Sequence, residues 1–451
     1  MSLDTLPPLD ALTNWVRTHD DHAAHRLELL AEAEAILRRS LAVGGERRRV
    51  LAGRLQRWRY QRLNEFAGNL PPEERRLSDA LDLAANALLD RPPRPARWPR
   101  GAVHSPEGGA AAQRAVAALD QRLPLDELAR QAREITFEHF ASASQSGTTR
   151  TRRMLMYAPL YLSSECVNHC TYCGFSYPLE IPRRHLSLRP VLAEAEILRR
   201  RGFRHLLLVA GDFPSRTTTV YFAEAIQALS ARGFQPAVEI APQSTEAYEE
   251  LVRAGACGVT LYMETYDEEM YAAHHLRGPK TSYDWRLEGL ERAAEAGMSR
   301  LGMGILLGLA EPREDLLALV RHAEYLAERF PHSRLAFSLP RIHEAPEDFE
   351  IPYAVDDESF VRFYCALRIA FPKAELVLST RETRALRERL AQTCITQMSA
   401  GSSTTPGGYG DEAEGHSGEQ FPVHDERQPA EVADRLRHTG FVPVWSLDEC
   451  Q

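Results

Sequence analysis

The chain has 451 residues, 44% hydrophobic and 26% charged, the composition of a folded globular protein with room for one large domain and an appendage. A net charge of −9 and a pI near 6.0 leave no electrostatic footprint for nucleic acid. No apolar stretch approaches the ~18 residues of a membrane span. The acidic opening MSLDTLPPLD lacks the apolar core of a secretory signal, so a cytoplasmic location is expected.

In chain order, residues 11–89 read as helices, with Ala23, Leu27, Leu30 and Ala33 on one face and a second helical pattern over roughly 47–67. The arginines of that second pattern (Arg47, Arg48, Arg49, Arg54, Arg57, Arg59 and Arg62) are nearly balanced by acids elsewhere in the segment. They read as a solvated helix face. The stretch RPPRPARWPRGAVHSPEGG (91–109) reads as a linker, and 111–142 returns to helix. The implied organisation is a helical extension and linker over 1–110, a helical lead-in over 111–153, a main domain over 154–405 and a closing tail over 406–451.

From Met154 onward short apolar strands alternate with amphipathic helices. Candidate strands cover 154–163, 204–211, 236–241, 258–265, 300–308, 334–340, 374–380 and 394–400. Helical patterns cover 190–201, 217–232, 281–297, 313–329 and 356–370. This strict alternation predicts an α/β fold of the (β/α)₈ TIM-barrel type, with an open doubly wound sheet as the alternative. In such a barrel the functional groups follow the C-terminal ends of the strands. The sequence puts three cysteines after the first strand, Gly211-Asp212 after the second and Glu264 at the end of the fourth. Arg341 follows the sixth, Arg381 the seventh, and Ser399-Ala400-Gly401-Ser402 the eighth.

The three cysteines form Cys166-Val-Asn-His-Cys170-Thr-Tyr-Cys173; the other four, Cys257, Cys365, Cys394 and Cys450, are scattered. This is no disulfide framework, and close-set thiolates suit iron–sulfur clusters, zinc or copper(I). A four-iron cluster on three cysteines keeps one iron open, as catalytic metals do. The amine and carboxylate of S-adenosylmethionine (SAM) can fill that position. A zinc site with His169 as fourth ligand is the alternative, although structural zinc motifs bring a second distant pair.

The segment APLYLSSECVNHCTYCGFS (158–176) resembles the radical SAM aromatic amino-acid lyases. So do LLLVAGD (206–212), the stretch YMETYDEEMYAAHHLRGPKTSYDWRLEGLERAAEAG (262–297), LSTRE (378–382), MSAGSSTTPGGY (398–409) and EQFPVHDERQP (419–429). The resemblance implies a [4Fe-4S] cluster on Cys166, Cys170 and Cys173, and SAM cleaved to a deoxyadenosyl radical. It implies scission of L-tyrosine between Cα and Cβ to p-cresol and 2-iminoacetate (dehydroglycine), for thiamine thiazole synthesis. A thiazole synthase would be the protein partner, and flavodoxin or ferredoxin the electron donor.

Residue by residue, the resemblance places Tyr172 beside the adenine, and Asp212, after Gly211, at the SAM amine, where the family more often has Glu. Glu264 and Arg286 fall at polar positions around SAM, with Arg286 suited to its carboxylate. Arg381 matches the clamp of the substrate carboxylate, where a planar fork suits the chemistry. Ser399, Ser402 and Arg341 approach the substrate, while Glu239 and His343 are further pocket candidates. The family's usual Pro-Arg-hydrophobic-Arg-Pro reads Pro340-Arg341-Ile342-His343-Glu344 here, and the helical lead is longer than usual. The alternatives are a hydrogenase-cluster maturase-like lyase, which would need a second C-terminal cysteine cluster, a tryptophan lyase, and a non-catalytic scaffold.

Overall fold

A computed structural model describes residues 23–38, 45–65, 72–88, 99–105, 108–143, 150–346, 349–410 and 418–448, with Thr13 and Arg17. Cys450, Arg91–Trp98 of the expected linker and the first expected helical residues lie outside them or are covered only in part.

The strands are β1 (Ala141–Ala143), β2 (Arg150–Ser163), β3 (His205–Ala210), β4 (Gln235–Glu239), β5 (Val259–Glu264), β6 (Arg300–Ile305), β7 (Arg334–Ser338), β8 (Glu375–Leu378), β9 (Gln397–Ser399) and β10 (Phe441–Val444). From β2 to β9 they pair in parallel and in chain order. β9 returns to β2 through Leu155–Gln397, Met156–Met398 and Tyr157–Ser399, which closes an eight-stranded barrel. All eight expected strands are present. The expected helix over 281–297 is instead a 3₁₀ turn, Pro279–Thr281, and two short helices, Tyr283–Leu287 and Gly289–Glu295. The two helices part at Glu288; Gly289 opens the second, where a Cβ would meet Leu261 at 2.4 Å and Pro242 at 3.1 Å, so the chain here lies against β5 too closely for a side chain.

Side-chain alternation builds two layers. Met154, Met156, Ala158, Leu160, Leu206, Leu208, Leu376 and Leu378 join the large core between sheet and helices. Tyr157, Tyr161, Leu207, Val209, Ala237, Ala336 and Val377 pack in a separate cluster with Cys166 and Phe175. Its aromatic rings need thin neighbours. A Cβ on Gly304 would stand 2.8 Å from the Tyr262 ring and only 1.9 Å from the Ser338 carbonyl.

The helices Ala23–Arg38, Gly45–Glu65 and Pro72–Leu88 enclose their own core of Leu30, Ala33, Leu51, Leu55, Trp58, Leu81 and Leu88. Two readings are corrected here. Arg59 is 1% exposed rather than solvated, with Ser78 and the barrel residue Glu288 as partners. Residues of the expected linker form a helix, Pro99–Val103, and Arg100 bonds Asp284 at 2.7 Å. Partners 184 and 229 positions away in sequence cannot be read from local pattern. At the other end of the chain, β10 pairs in parallel with the first half of β2.

At the barrel floor Arg300 bonds Glu375 and Gln397, both at 2.6 Å, and ties β6 to β8 and β9. Arg300→Leu strands the Glu375 carboxylate, and the unfolding free energy should fall by about 3 kcal/mol. Urea titration of wild type, Arg300→Leu and Arg300→Leu/Glu375→Leu checks this, with the double variant recovering part of the loss.

Candidate active site at the barrel mouth

The cysteine loop leaves β2 and is held by backbone bonds rather than by a core of its own. Val167 N–H donates to the Asp212 carbonyl at 2.9 Å, and the Arg183 guanidinium donates to the carbonyls of Ser164, Phe175 and Ser176 at 2.7–3.0 Å. Gly211 admits the loop to β3, since a Cβ there would meet the Glu165 carbonyl at 2.3 Å. Cys166, Cys170 and Cys173 line one cavity of about 590 Å³. N–H donors face the sulfurs. Asn168 N–H lies 3.4 Å from Cys166 Sγ, Phe175 N–H 3.4 Å from Cys173 Sγ, and Gln420 Nε2 3.8 Å from Cys173 Sγ.

Burial pushes the Cys170 and Cys173 thiols up, so these side chains become thiolates only with a cation to stabilise them. Three cysteines of one loop lining one cavity are the donor set of a four-iron cluster that keeps one iron open.

Asp212, Glu239, Glu264, Lys280, Trp285, Arg286 and Gln420 share that cavity. Glu264 ends β5 at a register shift with φ 72°, a left-handed backbone that non-glycine residues adopt at a cost. Lys280 Nζ bonds its Oε1 at 2.7 Å and Arg286 Nη2 bonds the same atom at 3.1 Å. Burial pushes the Glu264 carboxyl up, but the two cations outweigh it and hold it below the usual range. Arg286 also donates from Nε to the Tyr262 carbonyl at 2.7 Å, which leaves its Nη1 donors for a ligand. Burial raises the Asp212 carboxyl, opposed by the Asn168 amide bonded to it at 3.0 Å.

Glu239, Tyr262 and Val209 are common to this cavity and to a second of about 70 Å³, which adds Tyr157, Tyr161, Ser338, Arg381, Ser399, Ser402 and Phe421. The Arg381 guanidinium lies 3.4 Å from the Phe421 ring centroid, and among the described residues no carboxylate forms an ion pair with it. Ser402 Oγ is buried and has no hydrogen-bond partner among the described residues. Burial pushes the Glu239 carboxyl up to about 7 against the pull of Arg381.

The mouth therefore brings together the cysteines, Gly211, Asp212, Glu239, Glu264, Arg286, Arg381, Ser399 and Ser402. Tyr172 stands apart from the walls of both cavities. Its ring is 3% exposed, its hydroxyl lies 2.9 Å from His275 Nε2, and it packs with Leu306, Leu309 and Ile342. Arg341 lines neither cavity. It is buried, bonds Glu382, Asp357 and the Val355 carbonyl, and stacks on Phe360, so none of this places it near a substrate. Its neighbour in space, Glu382, sits beside Arg381 in sequence and turns the other way. His343 joins the same carboxylate at 3.1 Å. Sequence reasoning missed Lys280, Asn168, Gln420, Phe421 and Arg183. Four of them lie in stretches that carry the family resemblance, Asn168 in 158–176, Lys280 in 262–297, and Gln420 and Phe421 in 419–429. Lys280 is also one of only two lysines in the chain, whereas Arg183 carried no such signal.

The model of the radical SAM superfamily matches residues 160–323, and that of the biotin and thiamin synthesis associated domain matches 338–442. 2-Iminoacetate synthase of Escherichia coli (strain K12) is 37% identical over 323 residues, 71% of this chain and 82% of that protein. Its counterpart in Salmonella typhimurium is 36% identical over the same span. Among solved structures, HydG, a maturase of the [FeFe]-hydrogenase, aligns with a TM-score of 0.66 at 28% identity, over 93% of this chain and 81% of that one. HydG of Carboxydothermus hydrogenoformans aligns with a TM-score of 0.65 at 28% identity, covering 98% and 86%. With the cysteine loop at the mouth of a closed parallel barrel, the chain belongs to the radical SAM aromatic amino-acid lyases, the family of 2-iminoacetate synthase.

Proposed function

We propose that this protein is a tyrosine lyase that cleaves the Cα–Cβ bond of L-tyrosine to 2-iminoacetate and p-cresol. A [4Fe-4S] cluster on Cys166, Cys170 and Cys173, with SAM, supplies the one-electron chemistry needed to break an unactivated carbon–carbon bond. The observation that carries the reading is Arg381, stacked on Phe421 and, among the described residues, without a carboxylate partner, in a cavity whose wall is shared with the cysteine cavity. A guanidinium held flat in this way clamps an amino-acid carboxylate with two parallel hydrogen bonds. Ser402 Oγ, buried and without a partner among the described residues, offers the substrate a further polar contact. Tyr157, Tyr161 and Tyr262 provide an aromatic wall for the phenol ring and keep water out. Glu264, Arg286, Lys280 and Asp212 bind the amino-acid end of SAM.

The 2-iminoacetate synthases among the relatives support thiamine thiazole synthesis as the destination, with a thiazole synthase taking the product and flavodoxin or ferredoxin supplying electrons. The extended alignment with the maturase HydG favours a maturase-like lyase as the second reading. Against it, Cys394, which precedes β9 on the opposite side from the mouth, is fully buried among apolar side chains.

Alanine at Cys166, Cys170 or Cys173 should abolish SAM cleavage. Alanine at Cys257, Cys365 or Cys394 should leave about four irons per chain and active protein. Iron analysis and deoxyadenosine formation after anaerobic reconstitution decide, and iron lost from Cys394→Ala would revive the second reading.

Arg381→Ala should weaken tyrosine binding by on the order of 3 kcal/mol, about a hundredfold, and Arg381→Lys should recover little. SAM cleavage should continue while p-cresol collapses, so the ratio of p-cresol to deoxyadenosine at subsaturating tyrosine is the measurement. An unchanged ratio means that Arg381 is not the clamp.

A carboxyl whose folded value exceeds its unfolded one binds its proton more tightly in the native state, so it makes stability fall as pH rises from about 4.5 towards 7. Glu239→Gln removes that dependence. Its stability relative to wild type should grow by on the order of 2–3 kcal/mol between pH 4.5 and 7.5. Urea unfolding of both cluster-free proteins at the two pH values checks it.

A further inference from the structure

The helices before the barrel touch it at a functional segment. Glu268–Glu288 carries Lys280 and Arg286, the two cations on Glu264, and contains little regular structure: one seven-residue helix, a 3₁₀ turn and a five-residue helix. So short a run of helix does not hold itself in place. Within the Tyr283–Leu287 helix and its C-cap, Asp284 and Glu288 are four positions apart and share a face, whereas Arg286 is two positions from each and points to the opposite side. Arg286 thus faces the cavity while Asp284 and Glu288 face outward, where two like charges on one face repel.

Two arginines from outside the barrel meet that face. Arg100 Nη1 bonds Asp284 at 2.7 Å, its Nη2 pairs with Glu268, and its guanidinium lies 5.6 Å from the Tyr283 ring centroid. Arg59, with 1% of its side chain exposed, pairs with Glu288, whose side chain is 5% exposed, and donates to Ser78 at 2.9 Å within its own helical unit. Glu288 also has Arg292 at 3.6 Å, so the contact is a small buried network. Buried charges hold their geometry only while every partner is present. Arg59 and Arg100 both lie before residue 160, where the match to the family model begins.

We infer that Arg59 and Arg100 are positioning residues that clamp Glu268–Glu288 against the barrel and thereby set the affinity of the site for SAM. The inference rests on Glu264 and Arg286 facing SAM, and not on the identity of the amino acid cleaved. The helical extension is then part of how the SAM side of the mouth is built.

The test uses full-length Arg59→Met and Arg100→Met, with Arg100→Lys as the conservative variant. In cluster-free protein, amide hydrogen exchange over 268–288 should accelerate about tenfold or more in each Met variant, while β6 to β9 keep wild-type rates. After reconstitution, deoxyadenosine formation without any amino acid should show KM for SAM raised about tenfold and kcat within twofold, largely restored in Arg100→Lys. If a Met variant does not fold, Asp284→Asn and Glu268→Gln make the same measurements from the barrel side. An unchanged KM for SAM overturns the inference, as does acceleration spread evenly over the barrel. Local acceleration with an unchanged KM also removes Arg286 and Glu264 from SAM binding. Absence of p-cresol, by contrast, would count against the tyrosine reading and leave both measurements intact.

Discussion

Closure of the sheet through β2 is the constraint on which the site depends. β2 pairs with β3 and β9 to complete the barrel, and also takes β1 and β10 along its first half. Once the ring is closed, every strand has one face towards the helices and one towards the axis. The outer face is satisfied by Leu, Met and Ile. The inner face of so narrow a ring cannot be uniformly large, and here glycine and alanine on β4, β6 and β7 make space for the rings of Tyr157, Tyr161 and Tyr262. Packing of the barrel interior and shaping of the smaller cavity are therefore the same event.

At the floor the buried charges of Arg300 and Glu375 satisfy one another, whereas the strand ends at the mouth present polar groups to two cavities. Glu264 is the centre of that arrangement. A register shift and a left-handed backbone place its carboxylate where Lys280 and Arg286 both bond one oxygen, in surroundings dry enough to make each contact count. Across the shared wall no cation among the described residues bonds Glu239, and burial raises it instead. Two glutamates at adjacent strand ends are thereby shifted in opposite directions, Glu264 down and Glu239 up. The tail completes the enclosure, since the Tyr161 hydroxyl bonds Gln420 at 2.7 Å and Phe421 lies beneath Arg381.

The charges outside the barrel follow a different logic. Arg59 and Arg341 are both buried and ion-paired, yet one joins the N-terminal helices to the barrel and the other ties the β7 loop to Glu382. Neither is available to a ligand. In an arginine-rich chain, position at a strand end is therefore insufficient evidence for binding, and the local acids decide which guanidinium remains free.

What the sequence by itself determined was the periodic part and the covalent part. Eight apolar runs spaced by amphipathic helices specify a parallel barrel, and three cysteines at four- and three-residue steps after the first run specify a metal loop at its mouth, because both signals are local. Arg381, Ser399 and Ser402 were reachable because barrel geometry converts a position after a strand into a place on the rim. The rest was decided by tertiary structure. Arg341 occupies an equivalent position but is captured by Glu382, a partner 41 residues away. Tyr172, beside Cys173, turns to His275 through the fold of a loop 103 residues distant. Lys280, Gln420 and Phe421 enter the site from segments without regular pattern. Arg59 reads as solvated in its own helix and is buried only because the barrel offers Glu288. Side-chain pairing across such separations depends on which surfaces the closed sheet brings together, and no local period encodes that.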